Sequence, residues 1–160
     1  YTMGYGWAVV QGARMAREGA GLSEITAYLQ DWIDHVRVLF APLDLRFAKK
    51  SGRISAAAAF MGDALGLKPI MTFQDGESKV LSKVRGEKNV APALLELCQK
   101  TRAPGTPYLV IEGNNREQAA RLEEESAKAL GAPGEMTYPI GGVIAINAGP
   151  NLIGLVYREK

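Results

Sequence analysis

Three side chains stand where an anion could be handled. Arg53 falls in Lys49-Lys50-Ser51-Gly52-Arg53-Ile54-Ser55, just ahead of an alanine-rich helical segment. Gly52 allows the positive φ of a sharp turn, and Ser55 is placed to accept a backbone N–H one turn into the helix. The orphan N–H groups and positive dipole end of a helix favour an anion, and a guanidinium beside them makes a carboxylate or phosphate site. An exposed arginine on a surface turn fits the same residues, because most arginines are exposed. Arg85 sits just past a candidate strand. Asn147 opens Asn147-Ala148-Gly149-Pro150-Asn151, expected as a loop at a strand's C-terminal end, where open α/β sheets bind ligands.

The other reactive residue types read as structure. The one histidine, His35, excludes a multi-histidine metal centre. It falls in the last turn of a helix, where a cation is favoured, with no nucleophile or acid signalled nearby. The one cysteine, Cys98, excludes an internal disulfide framework and packs as a small hydrophobe on a helix face. Glu123-Glu124-Glu125 is a solvated helical face, since adjacent helical residues do not face one another. A net charge of +2 argues against an electrostatic nucleic-acid binder. There is no P-loop, and no cofactor is expected. No run of about 18 apolar residues is present. Tyr1 is not a natural start, so the chain reads as the C-terminal portion of a longer protein. The cytoplasm is the expected compartment.

The elements that must position these residues follow from periodicity. At 160 residues the chain can bury about two thirds of its unfolded surface without staples. A helix is expected over residues 5–18, with Val9, Ala13, Ala16 and Ala20 inward. A second over 23–36 is capped by Ser23, with Ile25, Tyr28, Leu29, Trp32, Ile33 and Val36 on one face. Residues 38–41 read as a strand stopped by Pro42. A helical turn over 43–48 then presents Leu45, Phe47 and Ala48 inward. A helix after Ser55 buries Ala57, Phe60, Met61, Ala64 and Leu65 and ends at Gly66. Strands over 69–73 and 78–84 flank an Asp75-Gly76 hairpin turn. A helix over 89–100 has Ala91, Leu94, Leu95 and Cys98 inward. Residues 108–112 are an apolar, central strand. Asn114 or Asn115 caps a helix running to Leu130. Residues 143–146 and 152–157 read as two more buried strands. The fold expected is α/β, a mixed sheet of about five strands with helices on its faces.

Separate segments of this pattern resemble the DegV family. Thr2-Met3-Gly4-Tyr5-Gly6 is similar to the family's Ser-Met-Gly-x-Gly. Ser51-Gly52-Arg53-Ile54 and Lys68-Pro69-Ile70 are similar to its Gly-Gly-Arg-Ile and Lys-Pro-Ile segments. Thr72-Phe73-Gln74-Asp75-Gly76 with Lys83-Val84-Arg85 continues the match. Ile140-Gly141-Gly142-Val143-Ile144-Ala145-Ile146-Asn147-Ala148-Gly149-Pro150 resembles the family's Ile-Gly-Pro-Val-Ile-Gly-Thr-His-x-Gly-Pro tail. Order and spacing hold over nearly the whole chain.

The resemblance implies a non-catalytic, two-domain carrier of long-chain fatty acids. Such a protein buries the acyl chain in a tunnel and presents its carboxylate to an ATP-dependent fatty acid kinase subunit, with transient membrane contact and no nucleic acid. It implies that residues 1–36 continue from an N-terminal domain and that residues 37–160 form the C-terminal lipid-binding domain. Arg53 and Arg85 match the family's arginines that engage the partner or the phosphorylated head. Phe60, Met61 and Ile70 would line the tunnel, with plain core packing equally open to each. Asn147 stands where the family has a histidine that helps hold the carboxylate. An amide donates a hydrogen bond but carries no charge, and a charge-assisted bond is roughly twice as strong. The rival reading is a protein-interaction domain that has lost lipid binding, with Asn147 as its trace.

Overall fold

The architecture is that of a computed structural model, which describes residues 2–52 and 66–160. The helix expected after Ser55, with Arg53, Phe60 and Met61, lies outside the described residues. Among them run α1 (Met3–Arg17), α2 (Leu22–His35), β1 (Val36–Pro42), α3 (Arg46–Lys50), β2 (Leu67–Gln74), β3 (Glu77–Arg85), α4 (Val90–Thr101), β4 (Tyr108–Glu112), α5 (Arg116–Leu130), β5 (Met136–Pro139), α6 (Gly142–Ala148) and β6 (Leu152–Arg158).

The six strands form one mixed sheet in the order β3-β2-β1-β6-β4-β5, one strand more than the sequence suggested. Only β4 and β5 are parallel; the other neighbours are antiparallel. α5 makes the crossover between that parallel pair, because parallel strands cannot be joined by a tight turn. The β2–β3 hairpin closes at Asp75 (φ 55°) and Gly76 (φ 79°), the two positive angles that a type I′ turn requires.

Alternation along the strands divides the apolar residues between two faces. Leu39, Ile70, Val110, Ile153, Leu155 and Tyr157 point to one side, where Val90, Leu94 and Cys98 of α4 and Leu122 of α5 close over them. Val38, Phe40, Met71, Leu109, Ile111, Leu152 and Val156 point to the other, where they meet Met3, Trp7 and Ala8 of α1 and Trp32 of α2. The buried Trp32 indole donates to the Gly4 carbonyl over 2.6 Å and ties the first two helices together. Asn115 caps α5 by accepting from the Gln118 N–H, and Gly131 ends that helix in the left-handed conformation. Burial pushes the Cys98 thiol up to about 12, as a core residue requires.

Four expectations are corrected. Residues 143–146 are not a strand: they are the body of α6, and no strand pairs with them. A four-residue apolar run cannot by itself separate strand from buried helix. The segment 147–151 therefore follows a helix rather than a strand. In α1 the buried face is Met3, Gly4, Trp7, Ala8 and Gly12, whereas Val9 is 63% exposed. The two long side chains decide the helix's rotation, and alanines contribute too little area to oppose them. α2 starts after Gly21 with no side-chain cap from Ser23, and Ile33 faces solvent. In α3 only Ala48 is fully buried, and Phe47 lies at the surface. β5 escaped notice because its four residues, Met136 to Pro139, carry no apolar alternation.

Candidate functional site

Among the described residues, the second face of the sheet is only partly covered. α1 crosses one region of it, and α3 and α6 lie against another. Between them a cavity of about 400 Å³ remains. Its floor is Val38, Phe40, Met71, Phe73 and Leu152, and its wall is Ala48 of α3 with Ile144 and Ala148 of α6. The Phe40 and Phe73 rings stack at 4.8 Å. From Val38 to Pro42 the floor follows β1 for four residue steps, a length of about 13 Å at 3.3 Å per residue. Size and apolar lining are those of a small-molecule pocket.

The polar groups on this cleft are few. Thr2 sits immediately before α1 in a conformation (φ 49°, ψ −138°) that a β-branched residue rarely adopts. Its hydroxyl oxygen is buried and has no hydrogen-bond partner among the described residues. Strain and an unmet hydroxyl each cost about 1–3 kcal/mol, so a group that needs neither reason to persist is disfavoured. α1 has no acidic residue in its first turn and no side-chain cap among the described residues, and the N-terminal end of a helix favours an anion. An acid head placed there would receive the Thr2 hydroxyl proton. The sequence carried the signal, a hydroxyl residue directly before a helix in Thr2-Met3-Gly4, although it was not among the residues singled out for ligand contact.

Asn147 lines the same cleft from the end of α6. Its side-chain amide donates to the Val143 carbonyl at 2.8 Å, and its main-chain carbonyl accepts from the Ser51 hydroxyl at 3.0 Å. The second amide proton and the amide oxygen have no partner among the described residues and remain for a ligand. The Ser51 bond also joins α3 to α6, so one wall of the cleft is held as a unit. Asp44 begins that wall. Its carboxylate receives the Arg46 guanidinium and backbone N–H, which holds it down at about 2. The Lys68 ammonium, which donates to the Leu43 carbonyl, pins the same turn.

Two residues named from the sequence stand elsewhere. Ile70 is fully buried, but it points to the α4 side, because alternation sends it away from its neighbour Met71. Arg85 ends β3 opposite Leu67, and its carbonyl accepts from the Asn89 amide at 2.7 Å. The cleft touches the other end of that strand, at Glu77 and Ser78, so Arg85 lies roughly 26 Å further along β3. Among the described residues no group of three His, Cys, Asp or Glu side chains could hold a metal. None of their helices is long and apolar enough to cross a membrane.

A strained hydroxyl and a helix end on a mostly apolar slot suit an amphiphile, and comparison with known proteins shows the family of this chain. The family model described as "Uncharacterised protein, DegV family" matches residues 1–160. The DegV protein of Bacillus subtilis is 31% identical over 159 residues, covering 97% of this chain and 56% of that protein. A fatty acid binding DegV family protein from Streptococcus agalactiae superposes with a TM-score of 0.80 at 28% identity, covering 97% of this chain and 56% of that one. A DegV family protein from Thermus thermophilus, whose structure describes fatty acid binding, gives 0.80 at 29% identity, covering 97% and 57%. The chain thus spans little more than half the length of these relatives, and it is matched by the family model from end to end: it belongs to the DegV family.

Proposed function

We propose that this chain is the lipid-binding part of a fatty-acid carrier, with the acyl chain along the β1–β2–β6 floor and the carboxylate at Thr2 and Asn147. The observation that carries this reading is the strained Thr2 hydroxyl, without a partner among the described residues, on a cleft whose lining is mostly apolar. The relatives from Streptococcus agalactiae and Thermus thermophilus, which bind fatty acids, support the ligand class. Burial of each methylene contributes about 0.8 kcal/mol, so affinity comes from the chain and orientation from the head.

In this proposal the protein is not itself an enzyme and uses no cofactor. It hands the carboxylate to an ATP-dependent fatty acid kinase subunit in the cytoplasm, and Arg53 and Arg85 serve that partner or the phosphorylated head. Residues 1–36 continue from a preceding domain, and residues 37–160 form the lipid-binding unit. Native mass spectrometry of the natural protein, purified from its own cells without detergent, tests the ligand. A copurified long-chain fatty acid is expected, and a clean apo mass would sink the proposal. Labelled ATP, supplied with and without the kinase subunit, tests the division of labour: acyl-phosphate should form only when both are present.

A further inference from the structure

We infer that Trp32 is a positioning residue for the acid head: its indole holds the first turn of α1 in the arrangement that makes the Thr2 end of the cleft select an ionised head over a neutral one. The inference rests on the fatty-acid reading above and concerns a residue that does not touch the ligand. Trp32 is 2% exposed, and among the described residues that line the cleft none belongs to α2. Its indole N–H donates to the Gly4 carbonyl over 2.6 Å. Helix geometry already gives that carbonyl a partner, the N–H four residues on. A second donor, on the other lone pair, is therefore not needed to complete α1. It clamps the turn to α2. The same turn also rests on the sheet: a Cβ at Gly4 would stand 3.4 Å from Val38 Cγ2, and Val38 lines the cleft.

Two consequences bear on the acid head. The first is geometric. Thr2 holds φ 49° and ψ −138°, and such a conformation persists only where its surroundings over-determine it. Fixing the Gly4 carbonyl two residues on keeps this backbone from relaxing into an ordinary helix start. The second is electrostatic. The Gly4 carbonyl and the Tyr5 N–H belong to one peptide group. Tyr5 is the third residue of α1, so its N–H has no partner within the helix. A hydrogen bond received at the carbonyl polarises the peptide and makes its N–H a stronger donor. Trp32 thus strengthens the positive end of α1, where an anion is favoured. α2 is itself indexed to the sheet. Asp31, next to Trp32, accepts two hydrogen bonds from the Arg158 guanidinium of β6, at 2.8 and 2.6 Å. An anionic head gains from both effects, and a neutral head gains less.

Displacement of a fluorescent fatty acid from the natural protein, by palmitic acid or by the alcohol of the same chain length at about pH 8, tests this. The acid should bind about tenfold or more tighter than the alcohol, since a charge-assisted hydrogen bond outweighs a neutral one. Trp32→Phe keeps a buried aromatic ring and removes the N–H. It should lose about threefold to tenfold in affinity for the acid, the size of one hydrogen bond, and less than about twofold for the alcohol. Benzothienylalanine in place of Trp32 exchanges the N–H for sulfur at nearly the same shape. It should give the same selective loss, and it keeps the test open if Trp32→Phe does not fold. An equal loss for acid and alcohol would show that Trp32 only packs α1, and it overturns the inference, as does no loss for either. A natural protein that binds acid and alcohol equally well leaves the carrier reading standing and removes the selective head site, the role of Trp32 included. One that binds neither sinks the carrier as well.

Discussion

The two faces of the sheet use the same kinds of side chain for different ends. On the α4–α5 face, Leu94, Leu122, Ile70 and Leu155 have no exposed surface, and two helices of 12 and 15 residues complete the closure. On the other face, Phe40, Met71 and Phe73 are equally apolar, yet α1 and the short α3 and α6 leave space for about 400 Å³. Packing at crystal density stabilises the first face. The second gives up part of that stabilisation, which in the proposed function keeps a floor available for a ligand. Alternation along the strands makes this division possible, because each strand serves both faces at once.

Leu94→Ala should sharpen the contrast most. It leaves a cavity under α4 and should cost about 2–5 kcal/mol in urea unfolding, with little change in fatty-acid affinity at temperatures where the variant is folded. Phe73→Ala, on the cleft floor, should cost less stability because open space already adjoins the ring. It should lose more affinity, since it removes both floor area and the stack on Phe40. Equal stability costs for the two variants would mean that the faces are packed alike, and the comparison would fail.

Gly154 tests the strand that the faces share. It pairs with Phe40 on one side and Ile111 on the other. A Cβ there would stand against the Leu39 carbonyl oxygen and 3.0 Å from the Phe40 Cα, both backbone atoms that cannot swing away. Gly154→Ala should therefore shift β1 and cost about 1–3 kcal/mol, while also disturbing the floor at Phe40. Loss of fatty-acid binding in step with stability is the expected outcome; a neutral melt would show that the strands can separate freely.

How much of this was legible beforehand differed between the faces for a physical reason. The closed face follows from local rules. The Leu94–Leu95–Cys98 stripe of α4, the cap at Asn114 or Asn115, the Asp75-Gly76 turn and the apolar run of β4 each announced an element in the sequence. The open face obeys fewer of them. Val143 to Ile146 looks like a strand because an element with apolar residues on both sides has no helical stripe. Val9 and Ala13 look like a buried face of α1 because periodicity counts positions, whereas Met3 and Trp7 bring the area. Thr2 was quoted in the motif but not singled out, because strain and an unmet hydroxyl exist only in three dimensions. The family pattern placed Asn147 on the cleft by likeness, and it misplaced Ile70 because likeness along a chain does not say which side of a strand a residue takes.

Asn147 offers a smaller effect, confined to the cleft. With an amide there, fatty-acid retention should vary little between pH 8 and about pH 5.5, since asparagine does not titrate. In Asn147→His, retention should strengthen as pH falls through the usual imidazole value of about 6.5, because an imidazolium gives the carboxylate a charge-assisted bond. Displacement of a fluorescent fatty acid at a series of pH values checks this. A flat profile for the variant would place the acid head away from α6 and leave Thr2 to hold it alone.

The smallest expected effect concerns the wall rather than the floor. Asp44 starts the turn into α3, and its carboxyl is held at about 2 first by the hydrogen bond from Arg46. A folded value below the unfolded one, about 3.9, means that its contribution to stability is complete above that pH and is lost as pH falls towards 2. The Arg46 side chain is 83% exposed, so solvent screens the pair and the contribution is a small fraction of what the displacement alone would suggest. Asp44→Asn should therefore barely move the urea midpoint at pH 7, and should flatten its fall between pH 4 and about 2.5 by the same small amount. α4 and α5 carry pairs of the same kind, Glu96 with Lys100 and Glu124 with Lys128. Their carboxylates are 66% and 69% exposed against 22% for Asp44, so solvent screens them more and acid should loosen the α3 wall before it reaches the α4–α5 core. Thiol labelling separates the two events: Cys98 should stay protected while the cleft has already released its ligand, and simultaneous loss of both would show that the faces unfold as one.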